Sequence, residues 1–120
     1  LHIEQGPILE AEGRDIGVVT HGQGLWWLEI TLTGRDAHTG STPMHMRVNA
    51  GLGAARITER VHQIAMSHLP NAVGAVGQLT HFPNSRNVIP GRAVLTVDIR
   101  SPDQAKLDAM RAEVERAAHA

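Results

Sequence analysis

Two residue types with catalytic potential stand near the start of the chain, in the segment HIEQGP (residues 2–7). The neutral imidazole of a histidine such as His2 is a common ligand of divalent metals, and a carboxylate such as Glu4 can serve as a general base. A metal site needs three or four ligands, so His2 could supply only one of them. Considered alone, both side chains are more simply explained as solvated or ion-paired surface groups.

His38 occupies a loop of small residues, GRDAHTGSTPM (residues 34–44). The loop leads into a predicted helix, with Thr42 as its N-cap and Pro43 at its first position. Because a helix N-terminus carries partial positive charge and unpaired N–H groups, a histidine beside it could hydrogen-bond a developing oxyanion. The alternative, which spacing alone favours, is that His38 caps backbone groups of its own loop.

Asn87 and Arg100 form a third candidate set. Asn87 lies in the loop SRNVIPG (residues 85–91), and Arg100 ends a predicted strand on its polar face. A guanidinium group beside an amide is suited to binding a carboxylate. The alternative is that Arg100 pairs with Asp98 or with a helix end, and the residue types alone favour that simpler explanation.

Composition narrows the class of protein. The 120 residues include 11 basic and 12 acidic side chains, a formal net charge of -1, and no cysteine. A charge-driven nucleic-acid surface is therefore not expected, and disulfides and thiolate metal sites are excluded. No apolar run reaches about 18 residues, so the sequence predicts no membrane span. One small globular domain with a cytoplasmic location fits these properties.

The elements that position the candidate residues follow from the hydrophobic pattern. Residues 25–33 alternate between apolar and polar side chains, which predicts a half-buried strand. A helix is predicted over residues 43–69, and further strands over residues 72–82 and 92–100. The segment SPDQ (residues 101–104) is a predicted capping box that starts a second helix. The residues expected to face the core are Trp26, Leu28, Ile30 and Leu32 in the first strand, Val48, Leu52, Ala55, Val61, Ile64 and Ala65 in the first helix, Ala93, Leu95, Val97 and Ile99 in the last strand, and Leu107, Met110, Val114 and Ala117 in the second helix.

The order strand, helix, strand, strand, helix predicts an α+β fold. This is a ferredoxin-like β-α-β-β-α-β sandwich, an antiparallel sheet with two helices on one face, whose last strand is missing from this chain. Upstream, residues 8–12 predict one helical turn, and residues 1–3 and 16–20 are strand-like. An incomplete sheet leaves an open edge, which a partner chain or a further segment should cover.

Taken together, three segments resemble one branch of the M20 metallopeptidase-like superfamily. HIEQGP (residues 2–7) is similar to the His-Ile-Glu-Gln-Gly motif of metal-dependent N-carbamoyl-L-amino-acid hydrolases, allantoate amidohydrolases, ureidoglycolate amidohydrolases and β-alanine synthase. GRDAHTGSTPM (residues 34–44) is similar to the Gly-Arg-x-Ala-His-x-Gly-x-Thr-Pro-Met motif of that branch. NVIPG (residues 87–91), followed by DIR (residues 98–100), is similar to its Asn-x-x-Pro-Gly and Asp-x-Arg signatures.

The resemblance implies a role for each candidate residue. His2 would be a ligand to one metal of a pair, and Gln5 would be a substrate-contacting amide. His38 would reach across a dimer as the catalytic residue that polarises the scissile carbonyl. Asn87 and Arg100 would grip the substrate carboxylate, also from the partner subunit. The reaction would be metal-assisted hydrolysis of a carbamoyl or ureido C–N bond, helped by a glutamate base outside this chain.

The same resemblance implies a domain organisation, cofactors and partners. Residues 1–20 would be a strand and linker from the catalytic domain, and residues 21–120 an incomplete lid and dimerisation domain. The full-length enzyme would bind two divalent ions, Zn²⁺ or Mn²⁺ with Co²⁺ and Ni²⁺ as alternatives, whereas this fragment alone would bind none and be inactive. We expect a homodimer that binds a small carboxylate-bearing ureido or carbamoyl substrate, with no nucleic-acid or membrane partner.

The sequence departs from the family pattern at two places. The turn VTHGQG (residues 19–24) differs from relatives that place a glycine before a larger apolar residue. In RVNA (residues 47–50), Asn49 stands where the family has an aspartate, which removes a possible ion pair at a helix start. Two alternatives stay open, namely the lid domain of an M20 peptidase and a ferredoxin-like module for small-molecule binding or association.

Overall fold

The computed structural model describes residues 2–120. In chain order its elements are α1 (Ile8–Ala11), β1 (Gly24–Thr33), β2 (Ala37–His38), a 3₁₀ turn (Met44–Met46), α2 (Ala50–Ser67), β3 (Val73–Phe82), β4 (Val88–Ile89), β5 (Arg92–Ser101) and α3 (Gln104–His119). The predicted strands at β1, β3 and β5 are therefore confirmed to within one residue at each end. No helix in the described part of the chain is both long enough and apolar enough to cross a membrane.

β5 is the central strand of a three-stranded antiparallel sheet with the order β1-β5-β3. β1 and β3 both run antiparallel to β5, so they begin beside Arg100 and Ser101 and end beside Arg92. β2 and β4 form a separate two-stranded ribbon in which His38 lies opposite Val88. β2 follows the end of β1, and β4 precedes the start of β5. Because that end and that start lie side by side at Arg92, the ribbon extends from the Arg92 end of the sheet.

The core lies between one face of this sheet and two helices. α2 packs against β3 and β5, and α3 packs against β5 and β1. This layering confirms the predicted α+β, ferredoxin-like arrangement with both long helices on one face. The buried core residues are Ala50, Ala54, Ile57, Val61, Ile64, Ala65, Ala72, Ala93, Leu95, Val97, Ile99, Leu107, Met110 and Val114. The predicted inward faces of β5 and α3 are thereby confirmed, apart from Ala117, which is only half-buried.

The predicted start of the first helix is wrong. Pro43 is extended (φ -56°, ψ 147°), a 3₁₀ turn follows it, and α2 begins only at Ala50. Asn49 is the N-cap, and its side-chain oxygen accepts a hydrogen bond from the Leu52 N–H at 3.2 Å. The amide at position 49 therefore satisfies the helix start through its oxygen, without the family's carboxylate.

The later start of α2 also changes its buried face. Val48 and Leu52 are each 50% exposed, and Ala55 is exposed, although all three were predicted to face the core. Val48 precedes the helix, so it does not share the helical period on which that prediction depended. The second half of the predicted stripe, Val61 to Ala65, is buried as expected.

The second helix begins two residues later than predicted. Ser101 is the last residue of β5, and its hydroxyl accepts from the Asp103 N–H at 3.1 Å. Asp103 is the N-cap, since its carboxylate accepts from the Lys106 N–H at 3.1 Å. The side chains of Ser101 and Asp103 thus accept backbone hydrogen bonds where the chain leaves β5 and enters α3.

Residues 2–23 lie outside the sandwich and contain only the helical turn α1. The predicted strand end at residues 1–3 includes Leu1, which lies outside the described residues, and the structure has no strand at residues 2–4 or 16–20. The apolar side chains of this segment face solvent: Ile3 is 76% exposed, Ile16 85%, Val18 88% and Val19 84%. Residues 2–23 therefore contribute nothing to the core of the sandwich.

Candidate functional site

His38 ends the short strand β2, and its ring turns back onto its own loop. The backbone N–H groups of Gly40 and Ser41 donate to His38 Nδ1 at 3.1 and 3.2 Å. An imidazole nitrogen that accepts two hydrogen bonds must present its lone pair, so the proton is assigned to Nε2. His38 therefore caps its own loop, which agrees with the simpler of the two interpretations of the sequence. Its exposed Nε2–H can still donate to a carbonyl oxygen.

Asn87 lies directly beside the His38 loop. Its backbone carbonyl accepts from the Thr39 N–H at 2.9 Å, which continues the β2–β4 pairing by one residue. Its side-chain oxygen accepts from the Ser85 hydroxyl at 2.9 Å. Asn87 is exposed, and its NH₂ group keeps both of its donor hydrogens for a ligand.

Arg47 holds the far side of the His38 loop. Its Nη2 donates to the carbonyl oxygens of Thr39 at 2.7 Å and Thr42 at 2.9 Å, and its Nε donates to Thr42 at 3.0 Å. A planar guanidinium can serve two carbonyls at once, which fixes the loop on both sides of Gly40 and Ser41. Arg47 makes these hydrogen bonds from the segment between Pro43 and Ala50, which is not part of α2.

Close backbone packing joins the two loops at the Arg92 end of the sheet. The Gly34 N–H donates to the Gly91 carbonyl at 2.6 Å, and the Gly91 N–H donates to Asp36 Oδ1 at 2.6 Å. A side chain at Gly34 would collide with the Val48 carbonyl oxygen, and one at Gly91 would lie 2.6 Å from Asp36. The glycines of both motifs are thus required for close approach, because no β-carbon fits there.

Arg100 and Asp98 form an ion pair on the open face of the sheet. Arg100 Nε donates to the two carboxylate oxygens at 2.9 and 3.1 Å, and Nη2 donates to Oδ2 at 2.6 Å. The guanidinium lowers the pKa of Asp98 below its ordinary value, burial opposes this, and the Trp27 indole adds a smaller lowering. Asp98 in turn raises the pKa of Arg100. Both groups are charged at neutral pH, and Arg100 Nη1 is left without an acceptor among residues 2–120.

The structure does not bring Asn87 and Arg100 of one chain together. Asn87 lies in the loop that leads into Arg92, and Arg100 lies eight residues further along β5. Eight residues of extended strand span about 26 Å, which is longer than a small substrate. Within one chain the two groups therefore lie at opposite ends of β5, and the expectation that the partner subunit supplies both to one carboxylate stays a prediction.

His2 and Gln5 belong to the exposed N-terminal segment. Gln5 sits in a turn with φ 56°, and the Glu4 carboxylate accepts from the N–H groups of Ile8 and Leu9 at 3.0 and 3.1 Å. Glu4 therefore caps α1, and this structural role accounts for the residue better than a role as general base does. Since β1 starts beside Ser101, this segment joins the sheet at the Arg100 end.

The described residues do not form a metal centre by themselves. Among residues 2–120 there is no group of three or more His, Asp or Glu side chains placed to hold an ion. His2 can supply one ligand, and a metal pair would need the remaining ligands from elsewhere.

Sequence reasoning missed two residues that position the candidate groups, Arg47 and Asp36. Arg47 hydrogen-bonds carbonyl groups of the neighbouring loop, and Asp36 hydrogen-bonds the N–H of Gly91, which is distant in sequence. No spacing rule identifies such partners from the sequence. The available signal was their place inside or beside the GRDAHTGSTPM motif. An arginine or aspartate that follows a glycine-rich loop is a reasonable candidate for fixing that loop.

Comparisons with known proteins agree with the three motifs. The family described as the peptidase dimerisation domain matches residues 20–120. The chain is 74% identical over 114 residues to an N-carbamoyl-L-amino-acid amidohydrolase of Rhizobium meliloti, covering 95% of this chain and 27% of the relative. It is 39% identical over 111 residues to an allantoate amidohydrolase of Bacillus subtilis, covering 90% of this chain and 26% of the relative.

The solved structures include an amidase of the hydantoinase/carbamoylase family from Burkholderia multivorans. It superposes with a TM-score of 0.96 at 52% identity, covering 98% of this chain and 29% of the amidase. The chain thus spans about a quarter of the length of the curated relatives it matches.

Proposed function

Since the chain belongs to the peptidase dimerisation domain family, we propose that it is the dimerisation and substrate-binding lid of a binuclear-metal amidohydrolase. The full protein would hydrolyse the linear amide C–N bond of N-carbamoyl amino acids or ureido acids. The names of the relatives support this substrate class, because the most similar one reported above is an N-carbamoyl-L-amino-acid amidohydrolase. Carbamoyl, allantoate and related substrates share a carboxylate for which Arg100 is suited.

The observation that carries the proposal is the division of polar groups between the two ends of the sheet. His38 and Asn87 lie at the Arg92 end, and Arg100 lies at the other end together with the start of β1. Neither end alone has both a carbonyl-polarising donor and a carboxylate clamp. A complete pocket would therefore combine the Arg100 end of one chain with the His38 end of a second copy.

The exposed edge of β3 offers a way to make that combination. Among residues 2–120 β3 pairs only with β5, so its outer edge has unpaired backbone groups, and Val73 and Phe82 at its ends are 49% and 37% exposed. Two copies of β3 paired antiparallel about a two-fold axis would form one continuous sheet. The Val73 end of one copy would then lie beside the Phe82 end of the other, which brings opposite sheet ends together.

Within such a pocket each group has a distinct task. The Nε2–H of His38 would donate to the scissile carbonyl oxygen as charge develops there. The amide NH₂ of Asn87 from the same copy and the guanidinium of Arg100 from the other would bind the substrate carboxylate. The Arg100–Asp98 pair would hold the guanidinium still, since a fixed donor loses less entropy on binding.

The N-terminal segment would connect this lid to a catalytic domain. Residues 2–20 would be a strand and linker of that domain, with the strand formed only against it, because their exposed apolar side chains need a packing partner. His2 would be a metal ligand and Gln5 a substrate contact in that domain's site. The metal pair would be held mainly outside this chain, and a cytoplasmic location remains a prediction.

Subunit complementation in the full-length protein tests the shared pocket. Two impaired variants, His38→Ala and Arg100→Ala, are prepared separately, then mixed, dissociated and reassociated, and activity is assayed at a substrate concentration well below the wild-type KM. If each pocket takes His38 from one copy and Arg100 from the other, every heterodimer has one intact pocket. Random reassociation should restore about a quarter of the wild-type activity, since half of the dimers are mixed and each has one of two sites intact.

Two controls interpret the result. Reassociation of either variant with itself should restore nothing. Mixing His38→Ala with Asn87→Ala should also restore nothing, because both residues belong to the same end of the sheet. Failure of the first mixture to regain activity, with heterodimers verified by mass spectrometry, would rule out the shared pocket.

A further inference from the structure

The Arg100–Asp98 pair sits inside a frame of apolar side chains on the open face of the sheet. In the strand register Arg100 lies between Leu25 and Val73, and Asp98 lies between Trp27 and Ala75. Leu25 is 44% exposed and Val73 is 49% exposed. The ion pair is thus flanked on both neighbouring strands by exposed apolar side chains.

Trp27 is the largest member of this frame and one of the more exposed. Its side chain is 71% exposed, whereas the adjacent Trp26 points into the core side and packs against Arg111 at 4.2 Å. Position 27 lies on the open face of β1, where the alternating pattern is compatible with any polar residue. An exposed indole there adds apolar surface and lowers solubility, which indicates that the indole binds a ligand.

A depression of about 440 Å³ lies against Trp27 on this face, with Glu29, Gly77, Thr96 and Asp98 among its lining residues. That volume is within the range of small-ligand sites. Gly77 helps to keep the space open, because it is the extra residue of a bulge in β3 and a side chain there would meet nothing within 4 Å. The lining includes the side chains of Trp27 and of Asp98, which is the ion-pair partner of Arg100.

We propose that Trp27 is a specificity-determining residue whose indole receives the apolar side chain of an amino-acid derivative held by Arg100. The proposal deepens the proposed function and depends on it for the assignment of Arg100 to the substrate carboxylate. Trp27 and Arg100 are diagonal neighbours on adjacent strands, about 7–8 Å apart at their α-carbons. The carboxylate and the side chain of an amino acid leave the same carbon, so one ligand reaches both groups.

Negative charge on the same face further restricts which ligand side chains can bind. Glu29 follows Trp27 by two residues on the same face of β1 and lines the same depression. A ligand with an acidic side chain would bring a second carboxylate towards Glu29 and Asp98, and that repulsion disfavours it. The preferred class is therefore an N-carbamoyl amino acid with an aromatic or aliphatic side chain.

The test compares substrates in the full-length enzyme. Trp27→Ala is assayed with N-carbamoyl-L-phenylalanine, N-carbamoyl-L-leucine and N-carbamoylglycine, the last of which has no side chain. We expect kcat/KM for the two apolar substrates to fall about 10-fold or more relative to N-carbamoylglycine, since apolar contacts discriminate by about this factor. Trp27→Phe should keep most of the preference for the apolar substrates.

Matched variants separate failure of this proposal from failure of the proposed function. Thr31→Ala changes an exposed residue on the same face of β1, four positions further along, and should leave the substrate ratios unchanged. Arg100→Ala should weaken all three substrates alike. An equal loss for all substrates in Trp27→Ala, or no loss, overturns the role of Trp27, while an unaffected Arg100→Ala overturns the carboxylate clamp beneath it.

Discussion

The two ends of β5 carry polar groups that are held in place by different means. At the Arg100 end the guanidinium is fixed by Asp98, a neighbour two residues away on the same strand. At the Arg92 end His38 and Asn87 sit in loops that are about fifty residues apart in sequence and are joined by backbone hydrogen bonds. One end therefore depends on a local pattern of the strand and the other on tertiary structure.

In the shared pocket that we propose, a single chain would not make a complete site. The groups at each end are fixed by hydrogen bonds within one chain. The Arg100 end would bind the substrate carboxylate, and the His38 end of a second copy would donate to a carbonyl oxygen.

His38→Ala should cause the largest effect on turnover. Loss of one donor to a developing oxyanion lowers kcat by about 10²- to 10³-fold, with little change in KM. Steady-state kinetics measure both. His45→Ala, an exposed histidine in the neighbouring 3₁₀ turn, is the matched control and should behave as wild type. Equal kinetics in the two variants would remove His38 from the site.

Arg100→Ala should act mainly on binding. The lost charged hydrogen bonds to a carboxylate should raise KM by about 10- to 100-fold and change kcat less. Arg92→Ala tests an arginine on the same face of the same strand, which stacks on Phe82 at 3.8 Å at the other end. If Arg92→Ala raised KM as much as Arg100→Ala, the two ends would not differ as we propose.

Arg47→Ala should lower kcat by about 10-fold by loosening the His38 loop, because small misplacements of a reacting group are costly. Arg47→Lys should not rescue the rate, since an ammonium group cannot serve the Thr39 and Thr42 carbonyls with a planar fork. Arg86→Ala, an exposed arginine next to Asn87, is the control. A wild-type kcat in Arg47→Ala would show that the loop is fixed by other contacts.

Asn49→Ala should destabilise the chain by about 1 kcal/mol, because α2 loses its N-cap. Asn49→Asp should be neutral or slightly stabilising, since its carboxylate can accept the same hydrogen bond from Leu52. Urea unfolding followed by circular dichroism gives the free energies of unfolding. A loss in Asn49→Asp as large as that in Asn49→Ala would contradict the capping role.

Asp98→Asn should have the smallest effect on stability, and that effect should depend on pH in one direction. The folded-state pKa of Asp98 is lowered, so the ionised carboxylate stabilises the fold above the ordinary value of 3.8. This contribution is lost as the pH falls through the folded pKa. The unfolding midpoints of wild type and Asp98→Asn should therefore differ slightly at neutral pH and converge below pH 3.8. A difference that grew at low pH would have the wrong sign.

Strand positions were predictable because their evidence is local. The alternation in β1 and β5 has a period of two, and it placed Trp26 and Leu95 towards the core correctly. The motifs also identified the residues His38, Asn87 and Arg100, whose roles stay predictions. Periodicity failed at the start of α2, where Arg47 hydrogen-bonds carbonyls of the preceding loop and Asn49, rather than Thr42, caps the helix.

The sequence by itself determined the fold class, the inward faces of the strands and the residue types able to bind a carboxylate or polarise a carbonyl. Only the tertiary structure decided that His38 and Asn87 meet at one end of β5 while Arg100 lies at the other. The physical reason is that side-chain alternation is a property of neighbouring residues, whereas the meeting of two loops depends on backbone hydrogen bonds between distant segments.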